Sequence, residues 1–233
     1  MTVAAVILAA SPAAALADAD GTPAVRRIAD AAWAGGATPV IVVSADPDGA
    51  LAAALSTAEV TLLDPTPPGD EEVGQVAHGM AGATGLVAAT TAVLVWPAGH
   101  AWADAETVTT LIATHGAFAT GSCLVPTFGE VTGFPVLVPV TTLEAIRAIP
   151  PSRPLGELAA DLAAAGVPFE RVVTGDPGVT HDLSVPRASL PPFEAPPRPD
   201  GALEPEWGAP AADQPDDAPP TGLARVSRPD SAA

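Results

Sequence analysis

The 233-residue chain contains no lysine, no tyrosine and a single cysteine, Cys123. All nine basic residues are arginines, set against 27 carboxylates, for a formal net charge of -18. Sequence-independent binding of a nucleic acid needs Lys and Arg to neutralise phosphates, so the composition excludes that class. The same deficit excludes docking on an anionic membrane surface. One cysteine makes neither an internal disulfide nor a multi-cysteine zinc site, which is what a reducing cytoplasm leads one to expect. Cys123 falls in an apolar run with no basic neighbour, so it reads as core packing rather than as a reactive thiol. No apolar run reaches the roughly 20 residues of a membrane-crossing helix. The opening MTVAAVILAASPAAALADA is apolar and ends in small residues, but no basic residue precedes its short apolar stretch. A buried first strand is therefore expected there rather than a secretory signal. The chain also lacks a Walker-type glycine loop, a Gly-x-Gly-x-x-Gly turn and a Gly-x-Ser-x-Gly elbow.

What is present is apolar and small. Hydrophobic residues make up 48% of the chain but aromatics only 4%, so the core is built chiefly of Ala and Val and gains less per residue from burial than a Leu/Phe core. Apolar runs at Val3–Ala10, Thr38–Ser44, Val60–Leu63, Thr91–Trp96, Ser122–Pro126, Phe134–Val140 and Phe169–Thr174 predict strands. Between them lie expected helices. Ala24–Ala34 has Thr22 as N-cap and Pro23 at its first position, and ends at Gly35-Gly36. Asp48–Leu55 and Glu71–Ala83 follow, then Ala105–Thr114 capped by Asp104, a helix capped by Thr141 or Thr142 that ends before Pro150-Pro151, and Leu155–Ala165. Strands alternating with helices of this length predict an α/β fold: a three-layer α/β/α, Rossmann-like arrangement on a mostly parallel sheet. Ligands on such sheets bind beyond the carboxyl ends of the strands, which directs attention to the loops after Ala10, Trp96 and Val138. From about Pro191 the chain turns to Pro, Ala, Asp and Glu without periodicity. Residues 1–190 are therefore expected to form the domain and 191–233 a disordered acidic tail. Such a tail reads as a solvated spacer, with a protein-binding motif around Trp207 as the other reading.

The loop positions carry a resemblance. Leu8-Ala9-Ala10 closes the first strand, and Gly21-Thr22-Pro23 opens the first long helix. VLVWPAGHAWADAETVTTLI is a third landmark, Gly133-Phe134-Pro135 a fourth, and Asp176-Pro177-Gly178-Val179 with His181-Asp182-Leu183-Ser184-Val185-Pro186 a fifth. In this order, across residues 1 to about 190, they resemble the MobA-like NTP transferases, a fold like that of the nucleotide-diphospho-sugar transferases. The subgroup most similar is the molybdenum cofactor cytidylyltransferases.

The resemblance implies a reaction that joins an NTP to a phosphorylated acceptor and releases pyrophosphate, with Mg2+ as cofactor and a nucleotide as ligand. It places nucleotide contacts at Ala10, Ser11, Gly99 and His100, and a metal carboxylate at Asp182. This chain departs from the pattern at several points. Ser11 replaces the loop glycine, and Pro12 beside it removes a backbone donor. An alanine near Ala14 or Ala15 stands for the family arginine, no residue can stand for the lysine, and Asp18 and Asp20 bring the opposite charge. Gly99 occupies the metal-aspartate position, Ser184 replaces the second aspartate of the closing run, and Gln75-Val76-Ala77-His78-Gly79 departs from the family's Ser-x-x-x-Gly. A lone carboxylate is a poor Mg2+ site. A metal set of His100, His181 and Asp182 suits zinc better, and the alternative is that these residues are relics of a drifted site. His78 and His115 read as helix-surface or loop residues. Three function classes stay open: a degenerate member acting by binding or regulation, with the tail as a candidate arm for a protein partner; an active transferase moving a nucleotide from CTP or GTP to an acceptor such as a molybdopterin-type cofactor; and a binder of another small molecule in the same cleft.

Overall fold

In the computed structural model, which describes residues 2–9, 11–66, 72–118 and 121–195, the first strand, β1 (Thr2–Leu8), is buried from Val3 to Leu8. Its unbroken apolar sequence has that meaning because the strand lies between two helical layers. Val3, Ala5 and Ile7 enter one core, and Ala4, Val6 and Leu8 enter the other. The remaining strands are β2 (Val40–Val43), β3 (Val60–Leu63), β4 (Thr90–Pro97), β5 (Cys123–Phe128), β6 (Val131–Thr132), β7 (Val136–Pro139) and β8 (Phe169–Val173). They form one sheet in the order β3-β2-β1-β4-β7-β5-β6, with β8 paired to β5. The pairs β1·β2, β1·β4, β2·β3 and β5·β8 are parallel, and β7 is antiparallel to both β4 and β5.

The helices are α1 (Pro12–Ala15), α2 (Ala24–Ala34), α3 (Ala50–Ala54), α4 (Glu72–Leu86), α5 (Ala105–Phe118), α6 (Leu143–Ala148) and α7 (Leu158–Ala164). Val25 and Ile28 of α2 and Val108 and Leu111 of α5 fill one core; Val76 and Met80 of α4, Ile146 of α6 and Leu162 of α7 fill the other. The three-layer α/β/α arrangement is therefore as the periodicity predicts. Small side chains let the layers approach closely. A Cβ on Gly79 of α4 would lie 2.3 Å from Val6 Cγ1 of β1, so glycine at that position is required by packing. Trp96 is fully buried, and its indole Nε1 donates to the His100 carbonyl at 2.7 Å. At about 25 cal/mol per Å2 over about 200 Å2 of apolar surface, its burial contributes about 5 kcal/mol.

Several local expectations are corrected. The segment after β1 is not a plain loop but contains α1, capped by Ser11, whose Oγ accepts from Ala14 N–H at 3.2 Å. Thr22 does not cap α2: Pro23 holds the N-cap position, and the Thr22 carbonyl accepts from Ala19 N–H. Asp104 does not cap α5 with its own side chain, which faces Arg27 and Arg187. Thr142 Oγ1 donates to the Pro139 carbonyl instead of capping a helix. Just after β8, Glu194 N–H donates to the Gly175 carbonyl at 2.9 Å. Residues 196–233 of the expected tail, Trp207 included, lie outside the described residues. Among the described residues no helix is long and apolar enough to cross a membrane.

Cys123 sits fully buried in β5, and burial pushes its thiol up to about 12. A thiol reagent at pH 8 is therefore expected to leave the native chain unmodified while reacting fully in urea, because the thiolate is the nucleophile. Labelling of the folded protein at the rate of free cysteine would contradict this placement.

Candidate functional site

Strand order sets the site. The chain proceeds from β1 outward to β2 and β3, then returns to lay β4 on the other side of β1. Where successive crossovers diverge in this way, the connections leave a crevice at the carboxyl ends of the strands. There the structure has a cleft of about 950 Å3, lined by Leu8 at the end of β1, Val43 at the end of β2 and Pro97 at the end of β4. Ser11, the cap of α1, and Ala14 within it border the cleft on one side, Gly99 from the turn after β4, and Ser152 to Leu155 from the segment between α6 and α7. The volume lies within the usual range of small-molecule sites.

Of the expected contact residues, Ser11 and Gly99 line the cleft, and Ala10 lies outside the described residues. Ser11 is engaged locally as the cap of α1, Pro12 has no N–H, and α1 spans four residues, too short to build a macrodipole. A Cβ on Gly99 would meet nothing within 4 Å. His100 does not line the cleft. Its ring packs against Phe134 at 4.9 Å between centroids, its Nδ1 is buried without a partner, and burial pushes its pKa down, with Asp182 opposing.

Asp182 is also absent from the cleft lining. Its Oδ1 accepts from both the N–H and the hydroxyl of Ser184, which hold its carboxyl below the ordinary range. Leu183 N–H donates to the Gly99 carbonyl at 2.9 Å, so this closing segment buttresses the Gly99 turn. His181 Nδ1 is occupied by the Pro177 carbonyl at 2.8 Å and Thr180 Oγ1 at 3.1 Å. The described residues contain no group of three or more His, Cys, Asp or Glu side chains placed to hold a metal, so the set His100, His181 and Asp182 is not assembled. With Gly99 bringing no carboxylate and Asp182 turned to Ser184, the residues present do not fit the Mg2+ that the resemblance implies.

Two further expectations are corrected. Asp18 and Asp20 do not line the cleft: Asp18 Oδ1 accepts from Gly21 N–H at 3.0 Å and Asp20 adopts a left-handed turn with φ 62°, so both belong to the turn before α2. His115 is not at the surface. It is 4% exposed on α5, with Nε2 3.2 Å from Thr91 Oγ1 and Nδ1 unpartnered, and burial pushes its pKa down. His78 is bonded to the Asp64 carbonyl at 2.9 Å.

The sequence reading missed the two charged residues that do line the cleft among the described residues, Glu72 and Arg153. Glu72 Oε2 accepts from Leu155 N–H, tying α4 to the segment between α6 and α7. The Arg153 guanidinium is held by both oxygens of Asp161, at 2.8 and 3.1 Å, and by Glu157 at 3.1 Å. One signal in the sequence was available: Arg153 is one of only nine cations and stands between prolines in Pro150-Pro151-Ser152-Arg153-Pro154.

Comparison with solved structures finds the same architecture. A nucleotidyl transferase from Methanothermobacter superposes with a TM-score of 0.62 at 16% identity, covering 76% of this chain and 88% of that one. A 4-diphosphocytidyl-2C-methyl-D-erythritol synthase gives 0.61 at 15% identity, covering 79% and 94%. The Rv0371c protein of Mycobacterium tuberculosis, in complex with manganese, gives 0.58 at 15% identity, covering 74% and 88%. At such identities the likeness establishes the fold. No curated protein matches the chain. Residues 6–167 match the MobA-like NTP transferase domain, and the chain belongs to that family.

Proposed function

We propose that this chain is a catalytically degenerate member of the family, acting by ligand binding or regulation rather than by nucleotidyl transfer. The observation that carries the reading is the end of β4, where Gly99 faces the cleft without a carboxylate. Transfer of a nucleotidyl group is mostly positioning and charge neutralisation, so the groups missing here are the catalytic machinery itself. Among the described residues the one cation at the cleft, Arg153, already has two carboxylate partners. Departures at the first loop, at Gly99 and at Ser184 support the same reading. The acidic tail is then a candidate arm for a protein partner.

The second reading is an active transferase that uses CTP or GTP and a phosphorylated acceptor such as a molybdopterin-type cofactor. The specific observation in its favour is the surviving cleft with Ser11 and Gly99 at its rim. Pyrophosphate release decides between the two. Incubation of the full chain with CTP or GTP, Mg2+ and acceptor is expected to release none above the protein-free blank, and turnover would establish the second reading.

A repair experiment follows from the open space at Gly99. The double variant Ser11→Gly, Gly99→Asp is expected to raise affinity for Mg2+–CTP by about tenfold, the factor for one useful charge interaction. Its thermal midpoint changes little, because Ser→Gly at an N-cap costs only a few tenths of a kcal/mol, roughly. Calorimetric titration of both proteins reads the difference, and an unchanged affinity would mean that the cleft has lost nucleotide recognition altogether.

A further inference from the structure

We propose that the cleft takes an uncharged, nucleoside-sized ring compound and discriminates against its phosphorylated forms. The inference rests on the non-catalytic reading above and adds the class of ligand. Its basis is the charge and chemistry of the walls. Leu8, Val43, Pro97, Ala98 and Leu155 present apolar surface, while Ser11, Thr66 and Ser152 bring hydroxyls. A mainly apolar cleft with a few dipolar groups suits a flat, neutral, hydrogen-bonding solute.

The ionised groups point the same way. Arg153 and Glu72 line the cleft, and Glu157 and Asp161 hold Arg153, so among the described residues three carboxylates stand against one guanidinium. To bind a phosphate, Arg153 must give up its bidentate bond to Asp161 or share it, which leaves a carboxylate beside the incoming anion. Two backbone positions at the start of α1 are closed to an anion. Pro12 has no N–H, and the Ala14 N–H is turned to Ser11 Oγ. An anion entering this cleft loses hydration without gaining neutralisation, and a neutral ring does not face that cost.

The test is calorimetric titration of the full chain with the four ribonucleosides, their monophosphates and their triphosphates, with and without Mg2+. At least one nucleoside is expected to bind, with its triphosphate weaker by about tenfold or more. The variant Gly99→Phe, whose side chain projects into the open space at Gly99, is expected to reduce that affinity at least tenfold with an unchanged thermal midpoint, locating the ligand in the cleft. A triphosphate that binds more tightly than its nucleoside overturns the proposal. So does the failure of all four nucleosides to bind, or binding that Gly99→Phe leaves intact. Pyrophosphate release, measured separately, bears on the catalytic question, so the two ideas fail by different readouts.

Discussion

Replacing Asp176 with alanine is expected to lower the unfolding free energy by about 3–5 kcal/mol, the range for stripping a buried carboxylate from several donors. The residue is 7% exposed, and its two oxygens accept three hydrogen bonds: from Gly178 N–H at 2.8 Å, Asp104 N–H at 2.9 Å and Thr107 Oγ1 at 2.8 Å. Two of these donors belong to the start of α5, so Asp176 serves as that helix's cap from 72 residues further along the chain. Alanine leaves buried donors unpaired and uncaps the helix in one step. Asparagine keeps the volume and one acceptor and is expected to cost about half as much. Urea denaturation reads both as a lower midpoint at constant slope. A loss under about 1 kcal/mol for Asp176→Ala would mean that the donors find other partners, and the remote cap would then be unimportant.

The second large effect is expected at Gly133. Its backbone lies so close to the closing segment that a Cβ would fall 1.8 Å from the Val179 carbonyl oxygen and 2.4 Å from its carbon. Neither contact is a flexible side chain. The neighbouring Phe134 N–H donates to the same Val179 carbonyl at 2.8 Å, so Gly133→Ala must push apart backbones that are hydrogen-bonded to each other. A loss of about 3 kcal/mol or more is expected, at the upper end for overpacking plus a broken bond. Gly99→Ala is the control: its Cβ meets nothing, and the change is expected to stay within about 0.5 kcal/mol. Both large substitutions release residues 176–185, so the double variant Gly133→Ala, Asp176→Ala should lose less than the sum. Strict additivity would show that the two anchors act on separate structures.

These anchors matter to the cleft because the segment they hold buttresses the Gly99 turn at its rim. Trp102 Nε1 donates to the carbonyls of Asp182 and Val185, and Leu183 N–H donates to Gly99. Releasing the segment therefore loosens the turn that forms one rim of the site.

The strands were legible because a buried strand in a two-sided sheet writes its environment directly into consecutive apolar residues, as β1 and β2 do. Topology pointed to the loops after β1 and β4, and Ser11 and Gly99 in those loops line the cleft, because the ends of the strands form the mouth of the fold. Arg153 was not found, because it reaches the cleft from a Pro-rich connection whose local sequence says nothing about which strand ends it faces. His115 was misplaced because helix α5 is apolar on much of its surface, so periodicity did not mark which face is covered.

Amino-acid order alone determined the layering, the approximate place of each long element, the family pattern and the shortage of positive charge, since these follow from local periodicity and composition. Only the tertiary structure decided which polar groups are spent on the fold. Asp176 caps α5, Ser184 engages Asp182, Asp161 and Glu157 hold Arg153, and Asp18 turns to its own loop. The physical reason is range: hydrophobic patterning is read within one element, whereas a hydrogen bond or ion pair depends on angstrom-scale distances between residues that can be tens of positions apart.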